Sequence, residues 1–85
     1  MKTPPFPGDR IELLHTFVRI VESGNLSAAA QRLDTTQPTV SRRLQALERL
    51  FGVRLLQRST HAITLTPDGE RCLAMARARI DEWEA

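Results

Sequence analysis

The 85-residue sequence lacks the features that mark several large classes of protein. It has a single cysteine, Cys72, which excludes a framework of intramolecular disulfide bonds. It has no signal peptide and no apolar run of membrane-spanning length, so we expect a cytoplasmic, nucleoid-associated protein without a membrane partner. Cys72 is predicted to pack as a small apolar residue, because the sequence offers no partners for a redox or metal role.

The patterns of an enzyme or a metal protein are also missing. We find no glycine-rich phosphate loop and no Cys-His or Ser-His-Asp constellation, in a chain too short to enclose a substrate. His15 is predicted to be a partly buried helix residue, since no ligand neighbour has the spacing of a metal site. The length suits one compact domain with a modest core. The sequence therefore predicts a binding module that is not an enzyme and holds no cofactor or metal.

Lysine is nearly absent, and arginine carries all the positive charge of the side chains apart from Lys2. The formal net charge of +2 does not by itself indicate a nucleic-acid partner. Residues 35–66, however, contain five arginines and one acidic residue, and the other acidic residues lie on either side. Arginine suits bidentate recognition of phosphate or guanine, although a GC-rich genome would give the same bias. We expect the basic middle to face DNA.

Residues 27–51 have the pattern of two short helices folded across a tight turn. Ser27 is expected to cap the first helix, over residues 28–33. The Asp-Thr-Thr run that follows breaks this helix, because its side chains compete for backbone hydrogen bonds. Either Thr36 or Gln37 then caps the second helix. This layout predicts a helix-turn-helix.

The second of these helices is predicted to have one apolar and one polar face. Pro38 is tolerated in its first turn, where the missing amide hydrogen would have no intrahelical partner. The polar face offers hydroxyl, amide and guanidinium groups, which can read base edges and contact phosphates in a major groove. The core side is expected to hold Val40, Leu44, Leu47, Leu50 and Phe51, and the opposite side Pro38, Ser41, Arg42, Gln45 and Arg49.

The start of the chain divides into an arm and a helix. Three prolines and a glycine in residues 1–8 predict a loosely ordered amino-terminal arm. A capping pattern at Asp9 opens an amphipathic helix that ends at Gly24 and Asn25. We expect residues 9–66 to form one domain.

Two short strands and a long helix are expected after Gly52. Residues 55–58 and 63–66 are predicted to pair as a two-stranded wing, although the tip between them has no glycine. Pro67 then opens a last helix within residues 67–85. Its apolar stripe is predicted either to pair with a partner or to pack back on the domain's own core. The stripe consists of Leu73, Ala76, Ile80 and Trp83.

The linked motifs LSAAAQRL, TTQPTVSRRLQALE, FGVRLLQRS and LTPDGE resemble the amino-terminal DNA-binding domain of the LysR-type transcriptional regulators. The resemblance extends from Ile11 to the end of the chain. It implies a mostly α-helical, winged helix-turn-helix domain with a long carboxy-terminal linker helix. Such a domain would bind double-stranded promoter or operator DNA as a homodimer at an interrupted inverted repeat, and so activate or repress transcription.

The resemblance also implies partners beyond this chain. LysR-type regulators ordinarily continue into a larger effector-binding domain, so the sequence is interpreted as a fragment. A small-molecule effector would act only through that missing domain. The full-length protein is expected to be a homotetramer, with RNA polymerase as a candidate partner. The linker helix is expected to pair with its twin through the stripe named above.

The resemblance assigns residues to the DNA contact. Those aligned with the family's base-reading positions are Gln37, Pro38, Ser41 and Arg42. Gln37 suits an adenine, and Arg42 a guanine or a phosphate. The candidate phosphate and wing contacts are Ser27, Ala28, Gln31, Thr36, Arg43, Arg58, Thr60 and His61.

Several of these assignments have alternatives. Ser27 and Ala28 would hold phosphate through backbone amides at a helix amino terminus, whereas Gln31 packs or touches the DNA backbone. His61 departs from the family, in which arginine is common at this place, so it is either an ordinary exposed histidine or a pH-sensitive contact.

Two other classes of function compete with this interpretation. A winged-helix module used only for protein contact would carry the same arginines as a solvated or protein-binding face. The related domain of molybdate-responsive regulators shares the order of helices and wing, but carries a glycine-rich wing, whereas STHAITLT has no glycine.

Overall fold

The computed structural model describes residues 10–58 and 63–84, so the predicted arm, the cap at Asp9 and the tip of the wing lie outside the described residues. Four helices and two strands follow one another along the chain. They are α1 (Arg10–Ser23), α2 (Leu26–Arg32), α3 (Gln37–Phe51), β1 (Leu56–Arg58), β2 (Ile63–Leu65) and α4 (Pro67–Glu84). None of the described helices is long and apolar enough to cross a bilayer.

The α1 helix is the centre of the core, because it packs against α2, α3 and α4. Its residues Leu13, Phe17 and Ile20 are completely buried. This burial follows from helical spacing, which places apolar residues three and four positions apart on one face. The other three helices are therefore positioned by their contact with α1.

The α2 helix is capped differently from the prediction. Asn25, not Ser27, is the cap residue, and its side-chain oxygen accepts a hydrogen bond from the Ala28 amide at 2.7 Å. Asparagine is a preferred cap because its short side chain reaches the free amides of the first turn. The expectation of a cap at Ser27 is wrong, and Ser27 lies within the first turn of α2 instead.

The turn between α2 and α3 has the predicted position. The amide of Thr35 donates to the Ala30 carbonyl at 2.9 Å, and Asp34 adopts a left-handed conformation with φ of 57°. Aspartate tolerates this region better than most residues. Thr36 is confirmed as the cap of α3, since its side chain accepts from the Thr39 amide. The direction in which α3 leaves the turn is therefore locally determined.

The apolar face of α3 is only partly confirmed. Val40, Leu44 and Leu47 are buried, as predicted, whereas Leu50 and Phe51 are each 38% exposed. The last turn of α3 extends past the region that the other helices cover. Gly52, at φ of 70°, ends the helix in the left-handed conformation that favours glycine.

The two strands pair antiparallel, in the register Leu56 to Leu65 and Arg58 to Ile63. Each strand is one residue shorter than predicted, at the end away from the tip of the wing. Leu55 is buried ahead of β1, and Thr66 caps α4 by accepting a hydrogen bond from the Gly69 amide at 2.9 Å. The wing is therefore joined directly to the start of the linker helix.

One face of the α4 helix packs against the core of its own chain. Cys72, Ala76 and Ile80 are buried, and Leu73 is partly buried against the same core. Ala76 and Ile80 are thus covered by α4's own domain, which is the second of the two arrangements predicted for this stripe. Trp83 lies beyond the side chains that the structure describes. The prediction of a packed, apolar Cys72 is confirmed, and burial raises the pKa of its thiol to about 11.

Candidate nucleic-acid interface

The outward face of α3 carries a row of polar side chains. Pro38, Arg42, Gln45 and Arg49 are exposed, and Ser41 is half-buried at the edge of the row. They lie opposite the buried Val40, because the helical repeat separates the two sets by about half a turn. The structure thus places three of the four predicted base-reading residues on or beside this face, and Gln37 at its amino-terminal end.

Gln37 and Ser27 meet where α2 and α3 begin. The Ser27 hydroxyl donates a hydrogen bond to Gln37 Oε1 at 2.9 Å, and both residues are exposed. Sequence analysis did not anticipate this contact, because it depends on the angle between the two helices.

The cap of α3 also orients an arginine. Thr36 Oγ1 and Thr39 Oγ1 are 2.9 Å apart, and Arg42 donates to Thr39 Oγ1 at 3.4 Å. This contact uses one N–H donor of the Arg42 guanidinium, and the remaining N–H groups can donate to a ligand. Thr36 therefore has a structural role as the helix cap, in addition to its predicted place at the interface.

Arg43 lies at the edge of this face, on the side towards α1. Its guanidinium lies 3.6 Å from the Glu12 carboxylate and donates to Thr16 Oγ1 at 3.5 Å. Both partners belong to α1, and the Arg43 side chain is only 22% exposed. This pair ties α3 to α1, and the predicted phosphate contact of Arg43 stays a prediction.

The start of α2 offers fewer free amides than predicted. The Ala28 amide donates to the Asn25 side chain, and its predicted role as a phosphate donor stays a prediction. Gln31 is exposed on α2, and its side chain has no hydrogen bond to a described residue, although its carbonyl accepts from the Asp34 amide. Gln31 therefore does not pack into the core, which was one of its two predicted roles.

Two shallow depressions flank the outer face of α3. One, of about 550 Å³, lies between the end of α3 and the start of the wing. The other, of about 360 Å³, lies between α3 and α1. Gln45 and Arg49 line both, and Arg54 lines the first. Gln45 and Arg49 belong to the polar face predicted from the sequence, whereas Arg54 was predicted only as part of the basic middle of the chain.

The arginines of the domain fall into two groups. Arg19, Arg32 and Arg77 converge on Glu22 at 3.0 to 3.9 Å, and Arg71 pairs with Asp68. Arg10, Arg42, Arg49, Arg54 and Arg79 have no acidic partner among the described residues, and Arg42, Arg49 and Arg54 lie along or beside the outer face of α3. Because unpaired guanidinium groups attract anions, the outer face of α3 has a local positive potential that the net charge conceals.

The wing places Arg58 at the end of β1, opposite Ile63. The side chain of Arg58 and the whole of Thr60 and His61 lie outside the described part of the structure. The predicted wing contacts, including the pH-sensitive alternative for His61, therefore stay predictions. Within the described ranges there is no group of His, Cys, Asp and Glu residues able to hold a metal.

Comparison with known proteins places this architecture in a family. Residues 11–70 match the family model described as "Bacterial regulatory helix-turn-helix protein, lysR family". An HTH-type transcriptional repressor of Pseudomonas aeruginosa is 40% identical over 81 residues, covering 91% of this chain and 25% of that protein. The HTH-type transcriptional activator AllS of Klebsiella pneumoniae is 44% identical over 72 residues, covering 85% of this chain and 25% of AllS. The chain thus spans about a quarter of the length of these relatives.

Solved structures of similar sequence share the fold. The CbnR DNA-binding domain in its DNA complex superimposes with a TM-score of 0.85 at 39% identity, over 89% of this chain and 87% of that one. The BenM DNA-binding domain bound to catB site 1 DNA gives a TM-score of 0.84 at 30% identity, over 89% and 82% of the two chains. The winged helix-turn-helix fold is therefore confirmed.

Proposed function

The chain belongs to the LysR family of bacterial helix-turn-helix regulators, and from this premise we propose that it binds double-stranded operator DNA through the outer face of α3. One observation carries the proposal. The three arginines along and beside this face have no acidic partner among the described residues, whereas Arg43, at its edge towards α1, is paired with Glu12. Unpaired positive charge along one face of a helix favours the binding of a polyanion.

In the proposed complex, the amino-terminal half of α3 enters a major groove. Gln37, Pro38, Ser41 and Arg42 then lie nearest the base edges, as in other recognition helices that read bases with their first turns. Arg49 and Arg54, which are further along, contact the phosphate backbone. Arg58, Thr60 and His61 of the wing contact the neighbouring backbone or minor groove.

We further propose a homodimer that binds two half-sites of an interrupted inverted repeat. The exposed side of α4 is the surface that this requires, since its other side is buried in the core. Met75, at 36% exposure, lies beside Leu50 and Phe51 around a cavity of about 370 Å³. These three residues, defined here as the Met75 patch, replace Ala76 and Ile80 as the candidate dimer contact.

The rest of the proposal concerns the protein of which this chain would be a part. It would be a non-enzymatic transcriptional regulator located in the cytoplasm at the nucleoid. Residues 1–8 would form an arm, residues 9–66 the DNA-binding domain and residues 67–85 the linker helix. A small-molecule effector and tetramer assembly would belong to a further domain, as the lengths of the relatives suggest.

A selection of bound duplexes from a random pool, followed by binding measurements at fixed salt, tests the function. We expect Arg42→Ala to reduce the preference for the selected site over random DNA by about 1–3 kcal/mol, because a base contact is lost. Arg49→Ala should weaken all duplexes alike and reduce the salt dependence, because a phosphate contact is lost.

Arg71→Ala is the matched control, since it removes an exposed arginine from α4 and should leave both quantities unchanged. Retention of full site preference by Arg42→Ala would show that the base-reading face is elsewhere. A wild-type chain that binds no duplex at low salt would instead favour the module used only for protein contact.

A further inference from the structure

We propose that Ser27 is a positioning residue for base recognition, which holds the Gln37 carboxamide in the orientation that selects a base pair. This inference rests on the proposed function and deepens it. It assigns to α2 a part in specificity, whereas a phosphate contact at this position would contribute only affinity.

The contact joins the two helices of the motif at their amino-terminal ends. Ser27 lies in the first turn of α2, Gln37 is the first residue of α3, and the hydroxyl donates to Oε1 at 2.9 Å. The turn between the helices is held by backbone hydrogen bonds and by the cap at Thr36. The distance between the two side chains is therefore set by the fold of the motif.

The chemistry of the carboxamide shows what this hydrogen bond achieves. A glutamine side chain has two acceptor sites on Oε1 and two N–H donors on Nε2. The bond from Ser27 occupies one acceptor site and leaves the other free, together with both donors. An adenine requires one acceptor for its N6 amino group and one donor for N7, and these must lie in one plane. The Ser27 bond thus leaves the adenine-recognition set intact and restricts rotation of the carboxamide.

While the Ser27 hydroxyl donates to Gln37, it cannot also donate to a phosphate. The hydroxyl has one proton, which is donated to Gln37. Phosphate diester oxygens are acceptors only, so they cannot bond to a hydroxyl whose proton is committed elsewhere. The two roles therefore predict different consequences when the hydroxyl is removed.

The experiment measures affinities of the 85-residue chain for the selected inverted repeat and for duplexes with each base pair of a half-site replaced in turn. We expect Ser27→Ala to lose about 3- to 10-fold in discrimination at the base pair that Gln37→Ala also affects, with little change elsewhere. Combining the two changes should cost no more discrimination than Gln37→Ala alone. Ser27→Thr, which keeps the hydroxyl, should restore discrimination.

A uniform loss of affinity for every duplex in Ser27→Ala, with effects that add to those of Gln37→Ala, would overturn the proposal in favour of a phosphate contact. Nuclear magnetic resonance of the free protein separates this failure from that of the proposed function. The side-chain amide signals of Gln37 should shift in Ser27→Ala and remain near their wild-type positions in Ser27→Thr. Unchanged signals in Ser27→Ala would overturn the positioning role even if the wild-type chain bound no DNA.

Discussion

Arg42 and Arg43 are neighbours in sequence with different surroundings. Arg42 is exposed and donates to the Thr39 hydroxyl, whereas Arg43 pairs with Glu12 and contacts Thr16 on α1. The helical repeat turns successive side chains by about 100°, which is enough to take one arginine to solvent and the other to a neighbouring helix. Adjacent positive charges therefore have different capacities to bind an anion.

Cys72 gives a prediction for the effect of pH on stability. Burial raises the pKa of its thiol from the ordinary value of 9.0 to about 11. Well below pH 9 the thiol is protonated in both the folded and the unfolded chain. Between about 9 and about 11 only the unfolded chain releases the proton, so the free energy of unfolding should fall by about 2 kcal/mol as pH rises.

Urea unfolding at several pH values checks this expectation. The background in this range is small, because the sequence has no tyrosine and a single lysine, Lys2. Cys72→Ala supplies the control, since it removes the thiol and should remove this part of the decline. An equal decline in wild type and Cys72→Ala would mean that the thiol does not cause it.

At the scale of the elements, Glu48 joins the recognition helix to the wing. Its Oε2 accepts from the Leu55 amide at 2.8 Å and from the Leu56 amide at 3.4 Å. These amides begin the wing, and Glu48 is on the third turn of α3. One carboxylate therefore fixes the position of β1 relative to the groove-facing helix.

We predict that Glu48→Ala lowers the free energy of unfolding by about 1–3 kcal/mol, since it leaves two backbone donors without their acceptor. Hydrogen exchange at the Leu55 and Leu56 amides should accelerate more than at Phe17 in the core. Glu48→Gln keeps a carbonyl acceptor and should lie between wild type and alanine. If Glu48→Ala left exchange at both amides unchanged, the link between α3 and the wing would carry no stability.

Local signals explain which elements could be predicted. The turn at residues 34–36 and the cap at Thr36 depend on neighbouring residues, and the sequence identified the turn and narrowed the cap to Thr36 or Gln37. The cap of α2 was misplaced by two residues because Asn25 and Ser27 are both good caps, and the choice between them depends on where α1 ends. The sequence alone therefore does not decide which of two neighbouring cap residues begins a helix.

Tertiary contacts explain what could not be predicted. Periodicity marked Ala76 and Ile80 correctly as one stripe, but gave no indication that α1 and its neighbours would cover that stripe. Leu50 and Phe51 were predicted to be buried and are exposed, because they continue the apolar pattern of α3 beyond the residues that could cover them. The candidate DNA face was more predictable, because it is defined by a single helix and by the family resemblance.

For the whole molecule, the Met75 patch gives a prediction about assembly. Met75→Glu places a charge on an exposed apolar surface, so it should weaken a dimer without unfolding the chain. Analytical ultracentrifugation should show Met75→Glu as a monomer at concentrations where wild type is a dimer. Ala74→Glu adds the same charge at an exposed position of α4 beside the patch and should remain dimeric. Equal dimerisation of Met75→Glu and wild type would place the interface elsewhere.

The most direct test of the proposed DNA-binding surface follows the backbone amide signals of the 85-residue chain while a selected operator duplex is added at low salt. We predict the largest shifts at Gln37, Ser41 and Arg42 on α3, with further shifts near Ser27, and small shifts along the Met75 patch. Signals that stay in place at the start of α3, or shifts confined to the Met75 patch, would contradict the assignment of this face to DNA.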